Sequence, residues 1–183
     1  MAGYERKFSG GGVALRADAT VAGYASRFDV VDGGGDAVAP GAFCDGLARA
    51  SAEGRRIRLL WQHDATKVIG VWDVVREDAR GLWVEGRLLD AVAQGREAAA
   101  LVEAGAIDGL SIGYSVRRAT RDAKGVRRLV EVDLWEVSLV TFPMLASARV
   151  AAKAAGLRDV TRALTEARRR MGAADAPADR RTA

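Results

Sequence analysis

The stretch Glu131-Val132-Asp133-Leu134-Trp135-Glu136-Val137-Ser138-Leu139-Val140 decides how this chain of 183 residues is read. Alternation with period two puts Val132, Leu134, Glu136, Ser138 and Val140 on one face, and Glu131, Asp133 and Trp135 on the other. That is a β-strand, and Glu136 is its inward acid. A carboxylate among such neighbours costs several kcal/mol or protonates unless it is paired. Its partner is either an arginine, in a buried salt bridge, or the single histidine of the chain.

Working outward, the strand extends over 127–141, is closed by Pro143, and pairs across the polar turn 120–125 with a second strand over 109–118. Three further strand-like runs, 57–63, 68–76 and 81–89, suggest a meander. Shorter runs at 13–15 and 20–28 precede the turn Asp32-Gly33-Gly34-Gly35-Asp36. Pro40-Gly41-Ala42-Phe43 opens a short amphipathic helix that Gly54 ends. An Ala-rich helix spans 91–104, capped by Asp90 and stopped by Gly105. A last helix over 157–170 sets Leu157, Val160, Leu164 and Ala167 at helical spacing, and a disordered end follows it. The fold class is α+β, a mainly antiparallel core with short helices around it.

Composition narrows the function classes. The chain is 49% hydrophobic and 28% charged, as in soluble globular proteins, and has room for one core. No apolar stretch approaches the ~18 residues of a membrane span, and no signal-peptide core follows Met1, so a cytoplasmic protein is expected. One cysteine, Cys44, excludes an internal disulfide, and with one histidine it argues against a metal site; no cofactor is called for. The net charge of +4 is concentrated in the tail, where nine basic residues face four acids from Arg149 onward. A weak attraction of that tail to nucleic acid or another acidic partner is all the charge supports.

The single histidine lies in Ile57-Arg58-Leu59-Leu60-Trp61-Gln62-His63-Asp64, where His63 falls in phase with Ile57, Leu59 and Trp61 and points inward. In Ile107-Asp108-Gly109-Leu110-Ser111-Ile112-Gly113-Tyr114, the neighbours of Ser111 on its own face are Gly109 and Gly113, which leaves its hydroxyl on an open floor. Each has an ordinary structural reading: a core histidine, a buried Glu–Arg pair, a sheet serine beside a bulge. Together Ser111, His63 and Glu136 supply a nucleophile, a base and an orienting carboxylate, the set for acyl transfer to water. The alternative nucleophile, Cys44, sits on the first helix beside Phe43 and Leu47, where a buried and inert thiol is expected.

The succession Gly23-Tyr24-Ala25, Pro40-Gly41-Ala42-Phe43, Leu60-Trp61-Gln62-His63-Asp64, Ile69-Gly70, Asp108 to Tyr114 and Trp135 to Pro143 resembles the prohead (capsid maturation) proteases of HK97-like tailed phages. Pro143-Met144-Leu145-Ala146 departs from the Pro-Ala-Asn frequent there. The resemblance implies a barrel-like core related to the herpesvirus assembly proteases and covers a protease domain at 13–150; the glycines of 10–12 mark a flexible lead-in at 1–12, and the charge and spacing after that domain mark a basic helix and tail at 151–183. It implies a serine endopeptidase that cuts the scaffolding segment from the major capsid protein, and then itself, inside the immature capsid in the host cytoplasm. His63 and Ser111 fall on the family's base and nucleophile, with Glu136 in the third position. Self-association is left open. The competing reading is a non-catalytic capsid assembly or scaffold protein that binds through its basic C-terminal helix.

Overall fold

In the computed structural model, which describes residues 5–9, 14–15 and 19–142, the elements follow one another as β1 (Glu5–Ser9), β2 (Ala14–Leu15), β3 (Thr20–Arg27), β4 (Asp36–Val38), α1 (Cys44–Ala52), β5 (Arg58–Trp61), β6 (Asp64–Glu77), β7 (Gly81–Leu88), α2 (Ala93–Glu103), β8 (Gly109–Arg121) and β9 (Arg127–Val140). All of them belong to one unit, Met1–Val150. The helix expected at 157–170 and the tail lie outside the described residues.

Among the described residues nine strands form one sheet in the order β1-β8-β9-β5-β6-β7-β3-β2, with β4 also on β9. The hairpin β8–β9 is its spine, and β5–β6–β7 is the expected meander. Two features were not legible. Strand β9 takes parallel partners on one side, β4 along 127–129 and β5 along 136–139, so the sheet is mixed. Residues Glu5–Ser9, inside the expected lead-in, form β1 against the edge of β8. Strand β3 packs on both β1 and β8, although the sheet order separates them, so the sheet curls into a half-barrel.

The helices cover what the curl leaves open. Helix α1 lies on β9 between the β4 and β5 pairings, and Gly46 lets it approach: a Cβ there would run into the Val132 carbonyl. The N-cap of α1, Phe43, offers no side-chain cap; the Glu77 carboxylate of β6 fixes the turn that leads into the helix by accepting the Gly41 and Phe43 N–H groups. Helix α2 does not use Asp90 as its cap. A turn closed by Val92 N–H on the Leu89 carbonyl comes first, which moves the N-cap to Val92. Gly54 and Gly105, both at positive φ, end the two helices as read from sequence. Phe43, Leu59, Ile69, Leu110, Ile112 and Tyr114 are in the core.

Candidate active site

Three adjacent strands bring the site together. In the β8–β9 ladder Ser111 lies opposite Ser138, so Ser111, Ser138 and, two residues earlier, Glu136 share a face. Strand β5 runs parallel on the other side of β9, with Leu60 beside Ser138 and Trp61 beside Leu139. The chain then turns, and the next inward side chain is His63.

His63 is not on a strand, contrary to the phase argument. Trp61 pairs with Asp64, so Gln62 and His63 form a two-residue hairpin loop with φ of 52° and 62°. Such left-handed turns favour Asn and Gly, and each non-glycine residue there costs on the order of 1–2 kcal/mol. Hydrogen bonds to β9 and beyond hold it: Gln62 N–H donates to the Leu139 carbonyl (2.9 Å), Gln62 Nε2 to Thr141 Oγ1 (2.5 Å), and His63 N–H to Ser138 Oγ (3.1 Å). The strain aims the imidazole back over the sheet.

The ring lies between the other two groups. His63 Nδ1 is 2.6 Å from Glu136 Oε1 and Nε2 is 2.6 Å from Ser111 Oγ. A carboxylate only accepts, which assigns the ring proton to Nδ1 and leaves the Nε2 lone pair facing the serine hydroxyl. The second carboxylate oxygen accepts the Ser138 hydroxyl at 2.7 Å. All four residues are buried: Ser111 and Ser138 fully, Glu136 at 2% exposure and His63 at 7%. The expected open floor at Ser111 is therefore closed. Here β1 runs along β8 with Phe8 paired to Ser111 through the backbone.

The other buried acid of β9 shows what a structural ion pair looks like in this protein. Asp133, 3% exposed, is bonded by Arg49 (2.7 Å) and Arg117. Burial alone raises its pKa, but the two guanidiniums outweigh that and hold it below the usual carboxylate range. The Glu–Arg reading thus belongs to Asp133, whereas Glu136 has the imidazole. Ser138 is the residue that sequence reasoning noted for its phase and gave no role. Its signal is its position, two residues after the inward acid on the same face.

Cys44 is exposed at the start of α1, not buried as expected, and desolvation and the nearby Glu77 carboxylate raise its thiol pKa. That disfavours the thiolate a cysteine nucleophile needs. Among the described residues no cluster of three or more His, Cys, Asp or Glu side chains could hold a metal ion, and no helix is long and apolar enough to cross a membrane.

A hydroxyl, an imidazole and a carboxylate lie hydrogen-bonded in series on a curled mixed sheet, the order of groups that serine hydrolases use. The chain belongs to the caudovirus prohead serine protease family, whose model matches residues 12–163. It is 32% identical over 133 residues to the prohead protease of Enterobacteria phage HK97, an alignment that covers 71% of this chain and 58% of that protein. The chain thus spans somewhat over half the length of that relative. The bacteriophage T4 capsid assembly protease shares the fold, with a TM-score of 0.63 at 14% identity over 76% of this chain and 98% of that one.

Proposed function

We propose that this chain is a serine endopeptidase of phage capsid maturation, with Ser111 as nucleophile, His63 as general base and Glu136 as the group that orients the base. The observation that carries the reading is the pair of 2.6 Å contacts on the two ring nitrogens of His63, both buried. Ser111 Oγ attacks the scissile carbonyl carbon as its proton passes to His63 Nε2. The C–N bond breaks, the amine takes that proton, and water repeats the sequence on the acyl-enzyme. Glu136 holds Nδ1–H and stabilises the imidazolium that forms. A buried acid with both oxygens occupied keeps one geometry through these steps, which favours the reaction entropically.

Membership in the prohead protease family supports the scaffolding segment of the major capsid protein as substrate and the immature capsid, in the host cytoplasm, as the place of action. The curled, mixed sheet is in keeping with the relation to herpesvirus assembly proteases. Cleavage of the chain by itself is supported by β1, a segment of the chain that already pairs along the strand bearing Ser111. Co-expression with the major capsid protein of the same genome, wild type beside Ser111→Ala, tests the reading by intact mass spectrometry. A capsid protein shortened at its N-terminus only with the wild type is expected. Two full-length proteins that still co-assemble would overturn it in favour of the scaffold reading.

A further inference from the structure

A cavity of about 590 Å³ opens beside the imidazole, with His63 and Glu136 in its wall. That volume suits a side chain with its flanking backbone. Its floor is apolar, from Leu60, Ala65 and the half-exposed ring of Trp135, and its other wall is cationic, from Arg55, Arg56 and Arg58. The three arginines differ in what they do. Arg55 is engaged: it donates to the Leu134 carbonyl (2.7 Å), approaches Glu53 (3.3 Å) and stacks over Trp135 at 4.2 Å. Arg56 and Arg58 are exposed; Arg56 lies near enough to Asp73 to help lower its pKa, but the hydrogen bonds of that carboxylate go to Arg87. Elsewhere on the sheet Arg76, Arg87, Arg117, Arg127 and Arg128 each meet a carboxylate. Two guanidiniums without a direct carboxylate bond, in the wall of a cavity that reaches the imidazole, are therefore unlike most of their kind in this protein.

The one acid in the cavity wall does not satisfy them. Both oxygens of Glu136 are taken, by His63 and by Ser138. The cavity thus combines an apolar floor, which accepts methylenes, with a fork of positive charge that matches a planar carboxylate.

We propose that Arg56 and Arg58 form a specificity subsite for an aspartate or glutamate side chain of the substrate, close to the scissile bond. The proposal rests on the protease reading, because the subsite is placed by the cavity it shares with His63 and Glu136. The guanidiniums bind the carboxylate as a charge-assisted pair, and Trp135 and Leu60 take the stem. Substrates with a neutral isostere at that position lose the pairing and keep the packing.

The test uses the full chain and the major capsid protein from the same genome. The cut site is mapped by mass, and an Asp or Glu within about three residues of it is expected, the reach of a side chain beside the imidazole. That residue is changed to Asn or Gln in the substrate, and Arg56 and Arg58 are changed together to Ala in the enzyme. Each change alone lowers kcat/KM about 10- to 100-fold, the worth of a charge-assisted hydrogen-bonded pair. The two losses do not add, because they remove the same contact. Reversal of both charges to Glu restores cleavage of a substrate carrying Lys there. No acid near the cut site, or equal losses by the arginine variant on the acidic and neutral substrates, overturns the subsite and leaves the protease reading standing. Capsid protein left uncut by the wild type overturns the protease reading and the subsite with it.

Discussion

Two serines of this sheet, Ser138 and Ser26, are both fully buried, and their hydroxyls differ in one respect: what they bond to. Ser138 Oγ accepts from His63 N–H and donates to Glu136 Oε2. Ser26 Oγ has no partner among the described residues. Ser138→Ala leaves a buried N–H and a buried carboxylate oxygen each short of a bond, and an unsatisfied buried group costs about 1–3 kcal/mol, more where it is charged. Partial relaxation keeps the total near 2–4 kcal/mol, which for a unit of this size lowers Tm by roughly 6–12 °C. Ser26→Ala removes a hydroxyl already desolvated without return and is expected to be neutral or stabilising by up to about 1 kcal/mol. Calorimetric melts of both variants beside the wild type measure the contrast. Ser138→Ala also frees one arm of Glu136 and the backbone of the strained turn, so cleavage slows by up to about 100-fold, as for small misplacements of a catalytic group. Equal melting shifts for the two variants would refute the hydrogen-bond reasoning. An unchanged rate in Ser138→Ala would refute its positioning role.

Ser111→Ala and His63→Ala each lower kcat by roughly 10⁴- to 10⁶-fold with the circular dichroism spectrum retained, because such residues act as a unit; a residual rate near the wild type in either would count against the assignment. Gly46→Ala would gain about 1 kcal/mol from helix propensity alone, but the Val132 carbonyl occupies the space, so a net loss of about 1–3 kcal/mol is expected in denaturant melts. A gain in stability would show that α1 does not approach β9 as described. Acid stability follows from Asp133, with Asp73 and Asp78, all held below the usual carboxylate range: by guanidinium partners at Asp133 and Asp73, and by backbone N–H groups and the Tyr24 hydroxyl at Asp78. Their folded pKa values lie below the unfolded value of about 3.9, so their stabilisation is complete above that pH and is lost as pH falls through the folded values. Denaturation midpoints at pH 7, 5 and 3 should therefore be level between the first two and lower at the third, and a rise at pH 3 would contradict the sign.

The spine of the fold was legible because apolar and β-branched residues recur along 109–118 and 127–141, and the turn between them is polar. Glu136 was grouped by phase with Val132 and Leu134, but the bulge at Trp135 turns those two to the other face and leaves Glu136 on the face of Ser111 and Ser138, where the oxygens of Ser111 and Glu136 lie 2.6 Å from the two ring nitrogens of one imidazole. What was not legible is non-local or breaks the period. Strand β4 is three residues long and finds its parallel partner 91 positions away, so no local pattern announces it. His63 does not share the face of Leu59 and Trp61, which lie beside Val137 and Leu139; alternation stops at Trp61, and a hairpin loop turns the ring to the other face, that of Leu60, Ser138 and Ser111. Asp133 read as an outward acid, yet it is buried: β9 bulges at Trp135, which puts Asp133, opposite Ser115, on the same face as Glu136 and turns Val132 and Leu134 to the other, and two arginines from outside the strand cover it. Open space at Ser111 could not be judged from its own glycine neighbours, because other elements close the site.

The central claim is that Ser111 Oγ attacks the substrate carbonyl. Rapid mixing of the chain with the major capsid protein, acid quench and intact mass spectrometry of the enzyme would test it most directly. A transient enzyme species heavier by the amino-terminal capsid fragment is expected, esterified to Ser111 in peptide maps and absent from Ser111→Ala. Capsid cleavage at the wild-type rate by Ser111→Ala, or a fragment bound to any other residue, would contradict it.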